Sequence, residues 1–341
     1  MSRAVLGWDV GGANIKAAFI GDPKAEPAIV VKPFPLWREA AGLAAALRDI
    51  AAPFGSVSTM AITMTGELAD CFATKREGVV GILDAVRAAF PRAALWVYGV
   101  DGRFRSVEEA CRRPLVVAAA NWVASATLVA RMFPDTLFID AGSTTTDIIP
   151  IVAGRVAARG RTDPARLRTG ELVYTGALRT PVCAVVRWVP LGGRRCRVAA
   201  EHFAIAADVH LWLGRITEGD YTCETPDGRG RTRAAAAARI ARMVCADLEM
   251  LRDADVSAIA EHVASTQQRE IARAIRRVAR RSGRARLSAA VLAGQGAFLA
   301  KAAAESAGVT TSDLADDLGP AASIATPAAA VARLLAEMAE V

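Results

Sequence analysis

The chain has 341 residues, of which 53% are hydrophobic and 23% are charged, so it can bury one large core or two ordinary ones, and a disordered main state is excluded. The mean hydropathy of +0.27 does not reflect a membrane span, because the longest weakly polar run, 115–130, is too short to cross a bilayer. The formal net charge of +7 favours an anionic partner such as phosphate, carboxylate or nucleic acid. Because no secretory signal is visible, we expect a soluble, cytoplasmic protein.

The first half of the chain alternates between apolar strands and helical stretches. Two strands, at 4–8 and 17–20, flank a tight glycine turn between Asp9 and Lys16. The elements predicted after this turn, in chain order, are a strand at 28–31, a helix at 38–50, a strand at 60–65, a helix at 80–90, a strand at 94–98 and a helix at 114–132. Pro134 ends the last of these helices.

The pattern of the first turn returns in the middle of the chain. The strand-like segment 136–140, which ends in Asp140, leads into Ala-Gly-Ser-Thr-Thr-Thr-Asp147, and an apolar stretch follows at 148–152. The aspartates that begin the two turns, Asp9 and Asp140, are 140 − 9 = 131 residues apart. The same order of elements around both turns indicates an internal repeat.

The repeat divides the chain into two predicted α/β lobes, 1–133 and 134–341. The elements predicted in the second lobe are loops or hairpins at 181–197 and 226–233, helices at 234–252 and 256–281, a strand at 289–292, the turn Gly294-Gln-Gly296, a helix at 297–304 and a last helix at 328–339. The last helix is a candidate to return to the first lobe.

The first turn has the residue types of a phosphate site. Glycine lets backbone N–H groups approach phosphate oxygens, and an aspartate at a strand end can hold magnesium or its waters against them. Asp9, Gly11 and Gly12 fit these roles. Asn14 and Lys16 are placed to reach the same oxygens, Lys16 as a point charge. The alternative is an ordinary hairpin with Lys16 in solvent.

The second turn is richer in polar groups. Residues 143–146 place four hydroxyls between the carboxylates of Asp140 and Asp147. Such a cluster is costly to bury between apolar strands without a ligand or metal, and a threonine-rich edge strand is the alternative. The turn at 294–296 offers backbone donors and a helix N-terminus to an anion or a nucleobase, or is a simple turn.

In this order, the three turns resemble the phosphate-1, phosphate-2 and adenosine motifs of the actin, sugar kinase and Hsp70 superfamily. The resemblance implies an α/β protein with the two-lobed actin-like ATPase (ribonuclease H-like) fold and a central interlobe cleft. That fold serves kinases, chaperones, filaments and enzyme reactivators, so it does not identify a reaction.

Longer stretches are similar to a narrower family. They are Thr63–Phe72, Asn121-Trp122, Phe138–Pro150, Gly170–Gly176 and Arg179–Pro181. They resemble the hydantoinase/oxoprolinase-related family, and within it the methanofuran-biosynthesis branch. The resemblance implies a synthase that couples an aminomethylfuran-methyl diphosphate to the phenol oxygen of a tyramine or tyrosine derivative, with a γ-glutamylated form left open, and releases pyrophosphate.

For that reaction, magnesium and cationic side chains would absorb the charge that develops on the leaving pyrophosphate. We expect Asp9 and Asp140 to hold Mg²⁺ or its waters. Asp147 is a catalytic candidate that would support these residues without holding the metal itself. The residues expected at the diphosphate are Gly11, Gly12, Asn14, Lys16, Gly142, Ser143, Thr144, Thr145, Gly294 and Gly296. Lys16 is also a catalytic candidate, because its charge opposes that of the leaving group.

A phenol has an unperturbed pKa of about 10, so a carboxylate base would help it to lose its proton during attack. Glu67, Asp70 and Glu171 are the candidates, each following a turn-prone glycine or a strand end. The ordinary alternative for each is a surface carboxylate or a charge at a helix N-terminus.

Three other functions stay open. They are an ATP-dependent small-molecule kinase with Glu67 or Asp147 as the base, a non-enzymatic nucleotide-binding protein, and a hydantoinase-like hydrolase. The six cysteines include no pair spaced as in a zinc module, and the three histidines are scattered, so a zinc site is not expected.

Arginines cluster at 194–197, 229–233 and 276–286. No nucleic-acid module accompanies them, and the last cluster lacks aromatic residues, so we expect a solvated helix face there. Binding of an acidic substrate tail is the alternative. We expect neither a nucleic-acid nor a membrane partner, and a homo-oligomer is left open.

Overall fold

The computed structural model describes residues 4–22, 25–283 and 287–338 of the chain. These residues form two compact units. Unit 1 consists of the residues up to 138 together with 149–165 and the residues from 313 onward, and unit 2 consists of 139–148 and 166–312. No helix in the described part of the chain is both long enough and apolar enough to cross a membrane.

The strands form two larger sheets and one separate hairpin. In chain order they are β1 Val5–Val10, β2 Asn14–Ile20, β3 Ala28–Pro33, β4 Thr59–Met64, β5 Ala94–Tyr98, β6 Phe104–Ser106, β7 Thr136–Ala141, β8 Thr146–Val152, β9 Arg155–Val156, β10 Leu172–Val173, β11 Trp188–Leu191, β12 Arg194–Arg197, β13 Ala289–Ala293 and β14 Thr310–Asp313. The first sheet has the order β3-β2-β1-β4-β5-β6, the second has the order β10-β8-β7-β13-β14 with β9 beside β8, and β11 pairs with β12.

The α-helices lie between these strands and at the end of the chain. They are α1 Leu36–Glu39, α2 Leu43–Ala51, α3 Lys75–Ala89, α4 Val107–Arg112, α5 Pro114–Val117, α6 Asn121–Met132, α7 Asp163–Thr169, α8 Val182–Val185, α9 Ala206–Trp212, α10 Arg233–Arg242, α11 Asp253–Arg281, α12 Ala297–Ser306, α13 Ala315–Leu318, α14 Pro320–Ile324 and α15 Thr326–Met338. Two short 3-10 helices, Ala40–Gly42 and Ala52–Phe54, flank α2.

Strand β1 lies inside the first sheet and is buried along its whole length. One face of it carries Trp8, which belongs to the apolar core formed with α2 and α3 and lies 5.6 Å from the ring of Phe90. Side chains alternate between the two faces of a strand. Gly7 and Asp9 therefore lie on the other face, and Asp9 is a carboxylate in an otherwise apolar strand.

Helix α15 covers that second face of β1 and also packs against β2, β4 and α6. A Cβ atom at Gly7 would overlap the carbonyl oxygen of Ala328, so glycine is what allows this close approach of helix and strand. Most residues of α15 are buried, including Ala328 and Leu335. The last helix of the chain therefore packs on the first strand.

The compact units do not coincide with the predicted division between residues 133 and 134. Residues 149–165 and those from 313 onward belong to unit 1. For the residues from 313 onward, the physical reason is the burial of α15 on β1, which is the return of the last helix that the sequence suggested. Residue 339, the predicted end of the last helix, and residues 284–286 of the predicted arginine cluster lie outside the described residues.

Two predicted helices are interrupted or shorter in the structure because a non-glycine residue has a left-handed backbone. Ala119, with φ of 48°, lies between α5 and α6 inside the predicted helix 114–132. Cys245, with φ of 57°, follows the end of α10, which stops at Arg242 although the prediction extended to residue 252. Alanine and cysteine rarely adopt this conformation, so residue type does not reveal these breaks.

Unit 2 holds a buried ion pair in its core. Asp208 on α9 and Arg239 on α10 are both fully buried, and Arg239 Nε donates to Asp208 Oδ1 over 2.8 Å. The hydroxyl of Tyr221 donates to the same oxygen over 3.0 Å, and Asp208 Oδ2 accepts from the N–H of Ile205 before α9. Asp208 is thus a structural residue that joins α9 to α10.

We expect Asp208→Ala to lower the free energy of unfolding by about 3–5 kcal/mol, because it leaves the Arg239 guanidinium buried without this counter-charge. Asp227→Ala is the matched control. Asp227 Oδ1 also contacts Arg239 Nη1, at 3.1 Å. Its removal leaves the buried Asp208 to balance Arg239, so a smaller loss, of about 1 kcal/mol, is expected. Urea unfolding of both variants measures the difference, and equal losses would contradict this assignment.

Candidate functional site

The first predicted turn is a tight hairpin in unit 1. The N–H of Gly11 donates to the carbonyl of Asn14 over 3.0 Å, which closes the loop between β1 and β2. The carbonyl of Gly12 accepts from the N–H of Leu36 over 2.9 Å, so the turn is held against the start of α1. A Cβ atom at Gly11 would lie 2.7 Å from the carbonyl oxygen of Asn14, whereas one at Gly12 would meet open space. The turn therefore requires glycine at position 11, whereas at position 12 a side chain would extend into open space.

Asp9 is the buried polar group beside this turn. It stands opposite Lys16 on β2 and next to Thr63 on β4. Lys16 Nζ lies 3.9 Å from Asp9 Oδ2, and Asp9 is only 5% exposed. Neither Asp9 Oδ1 nor the hydroxyl of Thr63 has a hydrogen-bond partner among the described residues. We call Asp9, Lys16 and Thr63 the Asp9 corner.

Burial raises the pKa of Asp9, while the ammonium of Lys16 acts in the opposite direction. A buried carboxylate oxygen and a buried hydroxyl side by side without partners are unusual in proteins, because each loses its hydrogen bonds to water. A cation or a ligand donor group at this position would satisfy them. Thr63 was not predicted as a site residue, although it opens the first stretch that resembles the family.

A second polar cluster in unit 1 surrounds Glu67. The N–H groups of Thr65 and Gly66 both donate to the carbonyl of Val10 over 3.0 Å, which folds the loop after β4 across the end of β1. Glu67 follows directly and is 1% exposed. A Cβ atom at Gly78 would overlap the carbonyl oxygen of Glu67, so the first turn of α3 packs tightly against this residue.

The Glu67 carboxylate shares a lysine with a second carboxylate. Lys75 Nζ lies 3.2 Å from Glu67 Oε1 and 2.6 Å from Asp163 Oδ2. Glu67 Oε2 has no hydrogen-bond partner in the part of the chain that the structure describes. Burial raises the pKa of Glu67, and the charge of Lys75 lowers it in part. Sequence reasoning missed Lys75 and Asp163, because they are 88 residues apart and no motif links them.

In unit 2, the second predicted turn repeats the geometry of the first. The N–H of Gly142 donates to the carbonyl of Thr145 over 2.8 Å, just as that of Gly11 does to Asn14. The carbonyl of Ser143 accepts from the N–H groups of Leu178 and Arg179, at 3.0 and 2.9 Å. Ser143 Oγ and Thr144 Oγ1 lie 3.4 Å apart, within hydrogen-bonding distance. The second turn is thereby held from one side by the segment that follows β10.

The third predicted turn packs directly on Asp140. Gly294 has φ of 88°, and a Cβ atom there would overlap both Asp140 Oδ1 and the carbonyl oxygen of Ala141. The N–H of Gly296 donates to the same carbonyl over 2.7 Å. The structure thus brings Asp140, the 142–145 turn and the 294–296 turn together within unit 2, and we call this group the Asp140 corner.

Three of the glycines predicted to bind diphosphate use their N–H groups inside the protein. Gly11, Gly142 and Gly296 each donate to a backbone carbonyl, as described above. Their contribution is to shape the turns. A phosphate bound at either corner would depend on the remaining backbone and side-chain donors of that corner.

Asp147 and Glu171 lie in a buried network of unit 2. Arg166 Nη2 donates to Asp147 Oδ1 over 2.7 Å and to the carbonyl of Glu171 over 3.1 Å. The Glu171 carboxylate accepts from the hydroxyl of Thr169 over 2.9 Å. Both carboxylates are therefore engaged within the protein, and Arg166 is a partner that the sequence pattern did not indicate. Asp70, the third predicted base, is exposed to solvent.

The donor set can be compared with the needs of a magnesium ion. No group of three or more His, Cys, Asp or Glu side chains is arranged as a metal site in the described ranges. Magnesium commonly keeps several waters and is held by one or two carboxylates together with substrate phosphates. The unpartnered Asp9 Oδ1 fits this kind of binding. The residues present therefore suit a magnesium ion that arrives with a phosphate ligand.

Comparison with known proteins adds two kinds of similarity. A family profile described as hydantoinase/oxoprolinase matches residues 58–338. The (4-{4-[2-(gamma-L-glutamylamino)ethyl]phenoxymethyl}furan-2-yl)methanamine synthase of Methanocaldococcus jannaschii is 38% identical over 337 residues, which are 98% of each chain. The protein of the same name from Methanococcus vannielii is 44% identical over 115 residues, 34% of this chain and 51% of that protein.

Two solved structures resemble the whole fold. The match to nucleotide-free acetone carboxylase has a TM-score of 0.58 at 11% identity and covers 91% of this chain and 68% of the carboxylase chain. The match to the ethanolamine utilization protein EutJ from Carboxydothermus hydrogenoformans has a TM-score of 0.50 at 15% identity and covers 96% of this chain and 89% of the EutJ chain. With the two α/β units described above, these likenesses confirm the predicted actin-like fold.

Proposed function

Because the chain belongs to the hydantoinase/oxoprolinase family, in its methanofuran-biosynthesis branch, we propose that it is a synthase that forms a phenoxymethyl ether on a furan. The donor is an aminomethylfuran-methyl diphosphate, and the acceptor is the phenol of a tyramine or tyrosine derivative. The relative from Methanocaldococcus jannaschii is named for a product with such an ether and a γ-glutamyl group.

In the proposed reaction, the bond between the furan-methyl carbon and the diphosphate oxygen breaks, and its electron pair leaves with pyrophosphate. The phenol oxygen forms the new bond to the same carbon, and its proton passes to a protein base. The furan ring stabilises positive charge on the methyl carbon, so the barrier depends mainly on how well the leaving group's negative charge is balanced.

The Asp9 corner is the observation that carries the proposal. Lys16 supplies a positive charge, and the unpartnered Asp9 Oδ1 is available to a cation. We propose that Asp9 holds magnesium or its waters in unit 1, with the diphosphate on Lys16 and Asn14. In unit 2 we propose the same role for Asp140 and the 142–145 turn. When bound, magnesium would neutralise negative charge on the pyrophosphate.

Glu67 is the base that the geometry supports best. Its carboxylate is buried, and Oε2 is unpartnered among the described residues. Its pKa is raised by burial, which makes it a stronger base than an exposed carboxylate. Lys75 holds the other oxygen and so positions the carboxylate. We propose that Asp147 and Glu171, which are engaged in the Arg166 network, keep the second turn in place.

A small-molecule kinase is the second candidate, and one observation favours it. The 294–296 turn lies against Asp140 and opens the ten-residue helix α12. The N–H of Gly296 is already used by Ala141, so the turn has little left to offer a diphosphate. A nucleotide would use such a turn, next to a phosphate site, for its base.

The distinguishing experiment incubates the purified protein and magnesium with the furan-methyl diphosphate and each phenolic acceptor in turn. We expect equimolar pyrophosphate and ether by mass spectrometry, without any requirement for ATP. Tyramine, tyrosine and γ-glutamyltyramine compared in parallel identify the acceptor. Pyrophosphate release without a coupled product, or ATP-dependent phosphorylation of the acceptor, would contradict the proposed reaction.

A further inference from the structure

Unit 2 has a groove with four arginines that the proposed reaction does not use. It lies between the β11–β12 hairpin and helix α11 and has a volume of about 690 Å³. Its principal lining residues are Arg187, Arg195, Arg197, Arg269, Trp188 and His262. We call it the arginine groove.

Local structure explains why these side chains meet. Gly192 and Gly193 both have positive φ, of 56° and 73°, which makes the tight turn that pairs β11 with β12. Arg195 and Arg197 are two residues apart on β12, so they project from the same face of the hairpin. On α11, residues 262, 266 and 269 follow the helical spacing of one face.

The charge in the groove is not balanced by the protein. No acidic side chain lines it, and none of its four guanidinium groups forms an ion pair with any residue that the structure describes. Elsewhere in unit 2, the buried Arg166 and Arg239 each face a carboxylate. The four arginines of the groove therefore differ from these two buried arginines, whose charge a carboxylate balances.

Aromatic side chains form one wall of the groove. The Arg195 guanidinium lies over the ring of Trp188 at 4.1 Å, and the rings of Trp188 and His262 are 4.3 Å apart. Burial, Arg269 and Arg195 together lower the pKa of His262, which agrees with a positive potential at this place. The stacked guanidinium keeps its N–H donors in the plane of the fork, where carboxylate or phosphate oxygens can accept from them.

From this arrangement we infer that the arginine groove binds a small molecule with several negative charges, carried by carboxylates or phosphates. Four unbalanced cations match a multivalent anion better than a single carboxylate. The volume falls within the range of small-molecule sites. Arginine side chains and a half-buried aromatic wall also suit single-stranded nucleic acid, but the groove is short and the rest of its lining is apolar or small.

The test measures binding of γ-triglutamate and of tripolyphosphate to the full-length protein by calorimetry, at two salt concentrations. The groove variant is Arg187→Gln/Arg269→Gln. Its matched control is Arg92→Gln/Arg112→Gln, which removes the same charge from exposed positions in unit 1. We expect the groove variant to bind the preferred anion about ten-fold or more weakly, and the control to bind it about as the parent does.

A second readout locates the ligand. Trp188 lies in the groove wall, so binding should change tryptophan fluorescence in the parent and not in Trp188→Phe. Asp9→Asn should keep this binding, which separates the groove from the proposed reaction site. The probe that binds more tightly shows whether the groove prefers carboxylates or phosphates. Binding of neither probe, equal binding by the groove and control variants, or tighter binding of a single-stranded oligonucleotide than of both probes would overturn the inference.

Discussion

Asp9→Asn is expected to abolish magnesium-dependent pyrophosphate binding and to slow ether formation by about 1000-fold or more. Asparagine keeps the shape of the side chain but removes the negative charge that we propose holds the cation. The substitution should not unfold the protein, because an uncharged amide is less costly to bury than a carboxylate at this 5% exposed position. Calorimetric titration with magnesium and pyrophosphate measures the binding, and the coupling assay measures the rate.

The matched control is Asp49→Asn, which makes the same chemical change in an exposed ion pair with Lys32. It should leave both measurements unchanged. Asp140→Asn is expected to behave like Asp9→Asn. The double variant then tells whether the two aspartates act on one ion, since effects on a shared ion are not additive. Full pyrophosphate affinity in both single variants would remove the magnesium assignment.

Glu67→Gln is expected to lower kcat by about 100- to 10,000-fold, because glutamine cannot accept the phenolic proton. Burial raises the pKa of Glu67, so the parent enzyme should gain activity as the pH rises through that pKa and the carboxylate loses its proton. This rising limb should disappear in Glu67→Gln. A pH–rate profile of both proteins checks the prediction.

Lys75→Met provides a further check on the same group. The charge of Lys75 lowers the pKa of Glu67, so its removal should move the rising limb to higher pH. Lys75→Arg keeps a positive charge at this position and should leave the limb close to its position in the parent. Asp70→Asn and Glu171→Gln are the controls for the other two predicted bases. If either control loses the pH limb while Glu67→Gln keeps it, the base has been assigned to the wrong residue.

The two glycine turns were readable in the sequence because their geometry is local. A tight hairpin needs glycine within a few residues of the aspartate, and the same Gly N–H to carbonyl bond closes both turns, at Gly11 and at Gly142. Most strands were also predicted correctly, since buried strands are short apolar runs. The breaks at Ala119 and Cys245 were not predicted, because a left-handed backbone at these residue types depends on packing.

The partners of the candidate site residues could not be predicted from the sequence, because they come from distant parts of the chain. Thr63 stands beside Asp9 only because β4 pairs with β1, and Lys75 meets Asp163 across 88 residues of chain. Arg166 balances Asp147, while the arginines of the groove face no carboxylate among the described residues. Residue type and spacing alone do not distinguish a paired arginine from an unpaired one.

Residues close together in the chain were enough to identify the family, the repeated aspartate–glycine turns and the chemical types of the candidate groups. The folded arrangement was needed to see which carboxylates are buried, which are paired and which keep an unpartnered oxygen. The physical reason is that the pKa and the availability of a charged group depend on desolvation and on neighbouring charges, and here those neighbours come from distant parts of the chain.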